Sequence, residues 1–345
     1  MKKQHLMAPI GLASLLVFAN PASAVVYVWT NGGGDNDYNT DANWDLGTAP
    51  VAGRNQAHFN SFGAELSSGS PAVISAIRIG YDGTDGDFTQ SGGTLNVTNN
   101  SNDASRVGRN AEDGTWNMTG GTATINAIQV GLNGGGNTSV GTMNVSGGSL
   151  TISRGVAGAS LAVGFGGVGN FTLSGNAIFQ SRNVVTVGMS GTGSGTFNVI
   201  GSSVGGGPTA GTIGIGTAGS TDGIWNQGAN GTLNMTIDAS GVSTLFIDDT
   251  TQGIAAANFA LGSLLGLDFN VAPYDGSFTL MEVENGDVTD SGLALTGSTD
   301  PNWSFAVDNS GANGLLIGTY LGVPEPGSIS LLFASLGTLL VRRRR

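Results

Sequence analysis

Phe88-Thr89-Gln90-Ser91-Gly92-Gly93 returns as Trp116-Asn117-Met118-Thr119-Gly120-Gly121, then as Met143-Asn144-Val145-Ser146-Gly147-Gly148 and Phe171-Thr172-Leu173-Ser174-Gly175-Asn176. A degraded copy, Phe197-Asn198-Val199-Ile200-Gly201-Ser202, follows, and Leu233-Asn234-Met235-Thr236 comes after a longer gap. The first five copies start 28, 27, 28 and 26 residues apart. Near-equal spacing of this size marks a repeat architecture, in which one unit cannot bury its apolar edge alone but a stack of units can.

Each unit adds a second alternating stretch, such as Leu95-Asn96-Val97, Ala123-Thr124-Ile125 or Leu150-Thr151-Ile152. A third has the form apolar-x-apolar-Gly: Ile77-Arg78-Ile79-Gly80, Ile128-Gln129-Val130-Gly131, Leu161-Ala162-Val163-Gly164, Val185-Thr186-Val187-Gly188 and Ile213-Gly214-Ile215-Gly216. Period-two alternation describes strands with one dry and one wet face. The glycines between them supply bends at which positive φ costs nothing. Three short strands and their turns fill about 27 residues, the size of one coil of a parallel β-helix.

The expected fold is therefore all-β, a parallel β-helix solenoid. Phe88, Trp116, Met143, Phe171 and Phe197 should stack inside it, one coil about 4.8 Å above the next. Thr89, Asn117, Asn144, Thr172 and Asn198 should form a polar row outside. The competing arrangement is a meander turning at each Gly-Gly pair, which would pair the strands antiparallel. Residues 76–240 are assigned to the repeats, 25–75 to an N-terminal cap and 241–321 to a C-terminal β-module, where the glycine periodicity fades. Residues Ile254 to Leu265 are the best helix candidate.

Composition removes several classes of function. Of 345 residues 60 are glycine, 10% are charged and none is cysteine, so disulfide staples and cysteine-ligated metals are excluded. Hydrophobic content of 39% argues for a packed core over disorder. Residues 25 to 323 hold six arginines, no lysine and 23 acidic residues, a balance of 6 minus 23, or −17. Such a surface repels nucleic acid and anionic membrane.

The two ends read as export signals. Lys2 and Lys3, an apolar run from Ile10 to Phe18, and Ala22-Ser23-Ala24 make a secretory signal peptide over residues 1–24. Residues 322–345 contain Val323-Pro324-Glu325-Pro326-Gly327-Ser328, an apolar run from Ile329 to Val341, and Arg342, Arg343, Arg344 and Arg345. This tail resembles the PEP-CTERM sorting signal of Gram-negative bacteria, also labelled by likeness to an ice-binding protein C-terminus. The resemblance implies an exosortase-type membrane enzyme as partner, transient inner-membrane anchoring through a short C-terminal helix, and release to the cell surface or matrix. It also implies an association with extracellular polysaccharide. The run is shorter than the roughly 20 residues of an untilted span, and the arginines are expected to stay cytoplasmic. Trp29, Gly32-Gly33-Gly34, Asn43-Trp44 and Pro50 resemble the N-terminal segment of autotransporter-like repeat proteins.

Catalytic signals are sparse. His58 is the one histidine left after signal-peptide removal. Gly193-Ser194-Gly195 imitates a nucleophile elbow, and Gly164-Phe165-Gly166-Gly167-Val168-Gly169 a dinucleotide loop, without the helix either needs. Asp35, Asp37, Asn39 and Asp41 alternate in one loop, and Asp82, Asp85 and Asp87 crowd another. Either set offers the oxygens of a structural calcium site, although Leu46 occupies the place of an EF-hand's bidentate glutamate. Solvated turn aspartates are the simpler reading. The expected function is a non-enzymatic surface or matrix solenoid without a cofactor. The alternatives are a carbohydrate or ice binder using the outward Asn/Thr row, and a polysaccharide-degrading β-helix.

Overall fold

The computed structural model describes residues 24–97, 104–133, 139–153, 159–207, 209, 211–216, 222–249, 255–296 and 302–322. Nearly all of the signal peptide, and the sorting motif with its apolar run and arginines, lie outside the described residues. Among the described residues no helix is long and apolar enough to cross a membrane.

Among the described residues the chain is all-β, and the strands fall into three long sheets. The first sheet runs Val26–Val28, Gln56–Phe59, Ala76–Ile79, Ser105–Arg109, Ile128–Leu132, Ala159–Phe165, Val184–Ser190, Ile224–Gln227, Ala256–Phe259 and Asp287–Asp290. The second runs Ala64–Leu66, Gly86–Gln90, Gly114–Met118, Val140–Val145, Val168–Leu173, Ser194–Ile200, Gly231–Ile237, Leu264–Phe269 and Ala294–Thr296. The third begins with Thr94–Val97, Thr122–Ile125, Ser149–Ile152, Ile178–Ser181, Thr212–Ile215, Thr244–Ile247 and Gly276–Val283. From Ala76–Ile79 to Trp303–Asp308 the described strands visit first, second and third sheet in turn. Neighbouring strands are parallel, the arrangement a β-helix requires and a meander excludes. Among the described strands antiparallel pairing, isolated bridges aside, is confined to the end of the third sheet, where Gly314–Tyr320 pairs with both Gly276–Val283 and Trp303–Asp308.

The predicted column is present in register. Ala64, Phe88, Trp116, Met143, Phe171, Phe197, Leu233, Leu265 and Leu295 face one another from coil to coil along the second sheet. All but Leu295 are fully buried, and burying each large side chain contributes about 1.5–3 kcal/mol. Phe171 and Phe197 stack with ring centroids 5.0 Å apart, and Phe59 and Phe88 with centroids 4.8 Å apart. The first sheet faces this column with Ile79, Val107, Val130, Val163 and Val187, and the third with Val97, Ile125, Ile152 and Ile215. Period two thus becomes one dry interior closed from three sides.

Glycine sets how tightly the coils approach at the corner between the first and second sheets. Gly80, Gly108, Gly131, Gly164 and Gly188 all have φ between 64° and 72°. A Cβ on Gly131 would lie 2.1 Å from the carbonyl oxygen of Val168, and one on Gly164 2.2 Å from that of Ser194. No side chain fits beside these carbonyl oxygens, which is why the four first-sheet copies of the apolar-x-apolar pattern end in glycine.

The structure departs from the sequence reading in three places. Parallel stacking extends from Val26 to Thr296, so part of residues 25–75 and most of 241–321 supply further coils of the same sheets. The helix candidate at 254–265 is instead Ala256–Phe259 of the first sheet and the start of Leu264–Phe269 of the second. Its alanines suit a helix, but pairing with Ile224–Gln227 decides the matter. Finally, Ile213-Gly214-Ile215-Gly216 belongs to the third sheet, paired with Gln180 and Ser181, while the other four copies of its pattern lie in the first.

Aromatic clusters close both ends. Trp29, Tyr38 and Trp44 pack over Phe59, with Trp44 5.1 Å from Tyr38 and 5.5 Å from Phe59 between ring centroids. At the opposite end Trp303 stacks on Phe269 at 5.1 Å and meets Tyr320 at 5.1 Å.

Candidate functional site

The outer surface of the second sheet carries the row expected from the sequence. Thr89, Asn117, Asn144, Thr172 and Asn198 occupy equivalent positions on successive coils, and Asn234 continues the row. All six are half-buried. They sit outward because each is flanked in its strand by two core residues, as Asn117 is by Trp116 and Met118.

Hydrogen bonds run along the row. Asn144 donates through Nδ2 to Asn117 Oδ1 at 2.9 Å, Asn198 to Thr172 Oγ1 at 3.1 Å, and Asn234 to Asn198 Oδ1 at 2.9 Å. Asn198 thus donates toward the preceding coil and accepts from the next, and Asn234 Oδ1 is directed at position 266 of the coil beyond it. Stacking at about 4.8 Å holds the amides in one orientation, so the face offers repeated, preset donors and acceptors. Such preorganisation lowers the cost of ordering groups on binding.

Two flanking rows were not anticipated. Thr115, Thr142, Asn170, Thr196 and Thr232 form an in-register row two residues before the central one. Thr119, Ser146 and Ser174 follow the central row, and Ile200, Thr236 and Asp268 continue that side in register. The sequence signal was available in Thr115-Trp116-Asn117, Thr142-Met143-Asn144, Thr196-Phe197-Asn198 and Thr232-Leu233-Asn234: a Thr-x-Asn string in four copies. Between Thr115 and Thr236 these three rows hold no titratable side chain. In a chain of net charge −12 this is an uncharged field.

The aspartates proposed for calcium are engaged by the backbone and by neighbouring side chains. Asp35 accepts from Thr40 Oγ1, Asn43 Nδ2 and the Asp37 N–H, and these bonds hold its carboxyl below the usual range. Asp37 accepts from Asn39, through both its backbone N–H and its side-chain Nδ2, and Asp41 from the Ala49 N–H. In the second set Asp85 accepts from the Asp113 N–H and Asp87 from the Gly63 N–H, in different directions, while Asp82 lies 3.9 Å from His58 Nδ1. Among the described residues no group of three or more His, Asp or Glu side chains is placed to hold a metal.

His58 is buried beside Tyr81 and Gln56. Burial, and then the positive charge of Arg78, push its pKa down to about 4, so it is neutral at physiological pH and Asp82 faces an uncharged ring. Ser194 opens a second-sheet strand and has no helix after it, and the glycine-rich segment from Gly164 to Gly169 links a first-sheet strand to a second-sheet strand. Neither makes the site its motif imitates. Asp248 and Glu284, at the ends of adjacent third-sheet strands, are hydrogen-bonded to each other. Burial, that bond and the neighbouring charges of Glu284, Asp222 and Asp249 push Asp248 up to about 6.

Comparison with protein-family models gives no match for this chain, and comparison with curated proteins gives none.

Proposed function

We propose that this protein is an exported, non-enzymatic solenoid of the bacterial cell surface or extracellular matrix, which lays its uncharged Thr/Asn face against extracellular polysaccharide. The observation that carries the reading is the register of that face: rows of hydroxyl and amide groups repeat at the coil spacing on a sheet stiffened by a continuous core. Sugar hydroxyls are matched by groups that both donate and accept, and a neutral field avoids the desolvation penalty of buried charge. The export assignment is supported by Ala22-Ser23-Ala24 at one end and Val323-Pro324-Glu325-Pro326 with Arg342 to Arg345 at the other. In this reading the tail is handled by an exosortase-type enzyme.

Co-sedimentation of the mature chain with the polysaccharide of an exopolysaccharide-producing bacterium, with reducing ends measured in parallel, tests this. Retention in the pellet without new reducing ends is expected. Absence of retention refutes the polysaccharide contact, and steady release of reducing ends refutes the non-enzymatic role. Replacing Arg342 to Arg345 with neutral residues should impair inner-membrane retention and processing, and an unchanged mature mass would count against sorting through the tail.

A further inference from the structure

The asparagine ladder stops at one coil, and the stop creates a groove. Position 266, next in register after Asn234, is glycine. A Cβ there would lie 2.1 Å from Asn234 Oδ1, so the Asn234 amide leans over a place where any side chain would collide with it. Asn234 donates backward to Asn198 Oδ1, and in the next coil no amide donates to its own oxygen. Beside this step a groove of about 280 Å³ opens along the outer face of the second sheet. Thr172, Asn198, Asn234 and Gly266 line one side, and Ile200, Thr236 and Asp268 the other. It spans four coils, or about 14 Å at the parallel-strand spacing.

We propose that this groove is a binding subsite for a neutral oligosaccharide of about three sugar units. This rests on the polysaccharide reading above and locates its strongest contact. The chemistry is mixed in the way a sugar ring needs. Asn234 Oδ1 and the exposed Asp268 carboxylate accept hydrogen bonds from hydroxyls, Thr172 and Thr236 donate and accept, and Ile200, 38% exposed, offers an apolar surface to the C–H face. The one charge in the groove is negative, which disfavours uronate and sulfated sugars. At Gly266 the row loses its side chain, so Asn234 Oδ1, directed at that position, is an acceptor that no following side chain covers.

The test uses the mature chain and a panel of fluorescently tagged oligosaccharides of three to five units, neutral in one set and uronate-containing in the other, read by fluorescence anisotropy. Gly266→Asn puts a side chain into the groove and turns the Asn234 amide aside, and Asp268→Ala removes an exposed carboxylate whose one hydrogen bond among the described residues is to the Phe269 N–H. Asn258→Ala breaks the comparable Asn258–Asn226 bond on the first sheet, away from this face. The expected result is binding of neutral oligosaccharides that weakens at least tenfold in both groove variants and less than twofold in Asn258→Ala. If Gly266→Asn misfolds by circular dichroism, Asp268→Ala alone decides. Undiminished oligosaccharide binding in the groove variants overturns the subsite but leaves the polysaccharide reading standing. Preference for the uronate set overturns the ligand class. Absence of all oligosaccharide binding while whole polysaccharide still co-sediments also overturns the subsite. Failure of co-sedimentation as well removes the reading beneath it.

Discussion

Gly131→Ala separates two costs that a repeat corner imposes together. Gly131 has φ +72°, and a Cβ would come within 2.1 Å of the Val168 carbonyl oxygen in the next coil. Ordinary contact begins near 3.4 Å, so the overlap is about 1.3 Å, more than a quarter of the roughly 4.8 Å between coils. The obstructing atom is backbone and belongs to a paired strand, so it cannot rotate away. Gly191 provides the control: its φ is +56° and a Cβ there meets nothing within 4 Å. Gly191→Ala should therefore cost only the left-handed strain, roughly 1–2 kcal/mol. Gly131→Ala should add about 1–3 kcal/mol for overpacking, giving about 2–5 kcal/mol in total. Urea unfolding followed by circular dichroism measures both, with the m-value checking that the same surface is exposed. Equal losses in the two variants would refute the reasoning, because coil contact would then contribute nothing beyond the glycine's own conformation.

Acid titration should show two opposing trends. His58 has a folded pKa of about 4 against 6.5. The unfolded chain therefore binds more protons in that window, and stability rises with pH across it by about 3 kcal/mol at most. Asp248, at about 6 against 3.8, works the other way: the folded chain binds more protons and stability falls as pH climbs, by on the order of 1 kcal/mol once solvent screening is allowed for. Asp248→Asn should raise the urea midpoint at pH 7 and make the variant more acid-sensitive than the parent; a lower midpoint at pH 7 would contradict this. Trp116 is fully buried and its indole N–H has no partner among the described residues. Trp116→Phe should therefore lose much less than the ~3–5 kcal/mol expected of Trp116→Ala, and calorimetry showing similar losses would argue against an unsatisfied donor. Asn43, fully buried, donates to Asp35 Oδ1 and Asp37 O and accepts from the Gly33 N–H. Asn43→Ala should cost about 1–3 kcal/mol, with faster hydrogen exchange at Gly33, and unchanged exchange there would refute its pinning role.

Stacking was legible because its cause is local and repeated. Phe88, Trp116, Met143, Phe171 and Phe197 keep both the alternation and the near-constant spacing, so their column and the row beside it could be placed before any coordinates. The later coils were harder to read. Leu233 stacks on Phe197 across a 36-residue interval, chiefly because the chain between Ile200 and the third-sheet strand Thr212–Ile215 is longer than its counterpart in the preceding coil, without changing the register of the second sheet. Ile213-Gly214-Ile215-Gly216 misled for a related reason: the same four-residue pattern fits two sheets, and only spacing tells them apart. Ala256–Phe259 shows neighbouring strands overriding helix propensity. The step at Gly266 could not be seen from sequence, since its meaning lies in which residue precedes it in register, 32 positions earlier.

A column of parallel strands is also a template on which another copy could add by accretion, and the last coil bears on that hazard. Its first-sheet strand, Asp287–Asp290, has exposed carboxylates at both ends, while the hairpin of Trp303–Asp308 and Gly314–Tyr320 turns the third sheet's terminal edge antiparallel. Mutual repulsion and mismatched strand polarity oppose fibre growth from that end, so even at high local concentration the solenoid keeps a finite length.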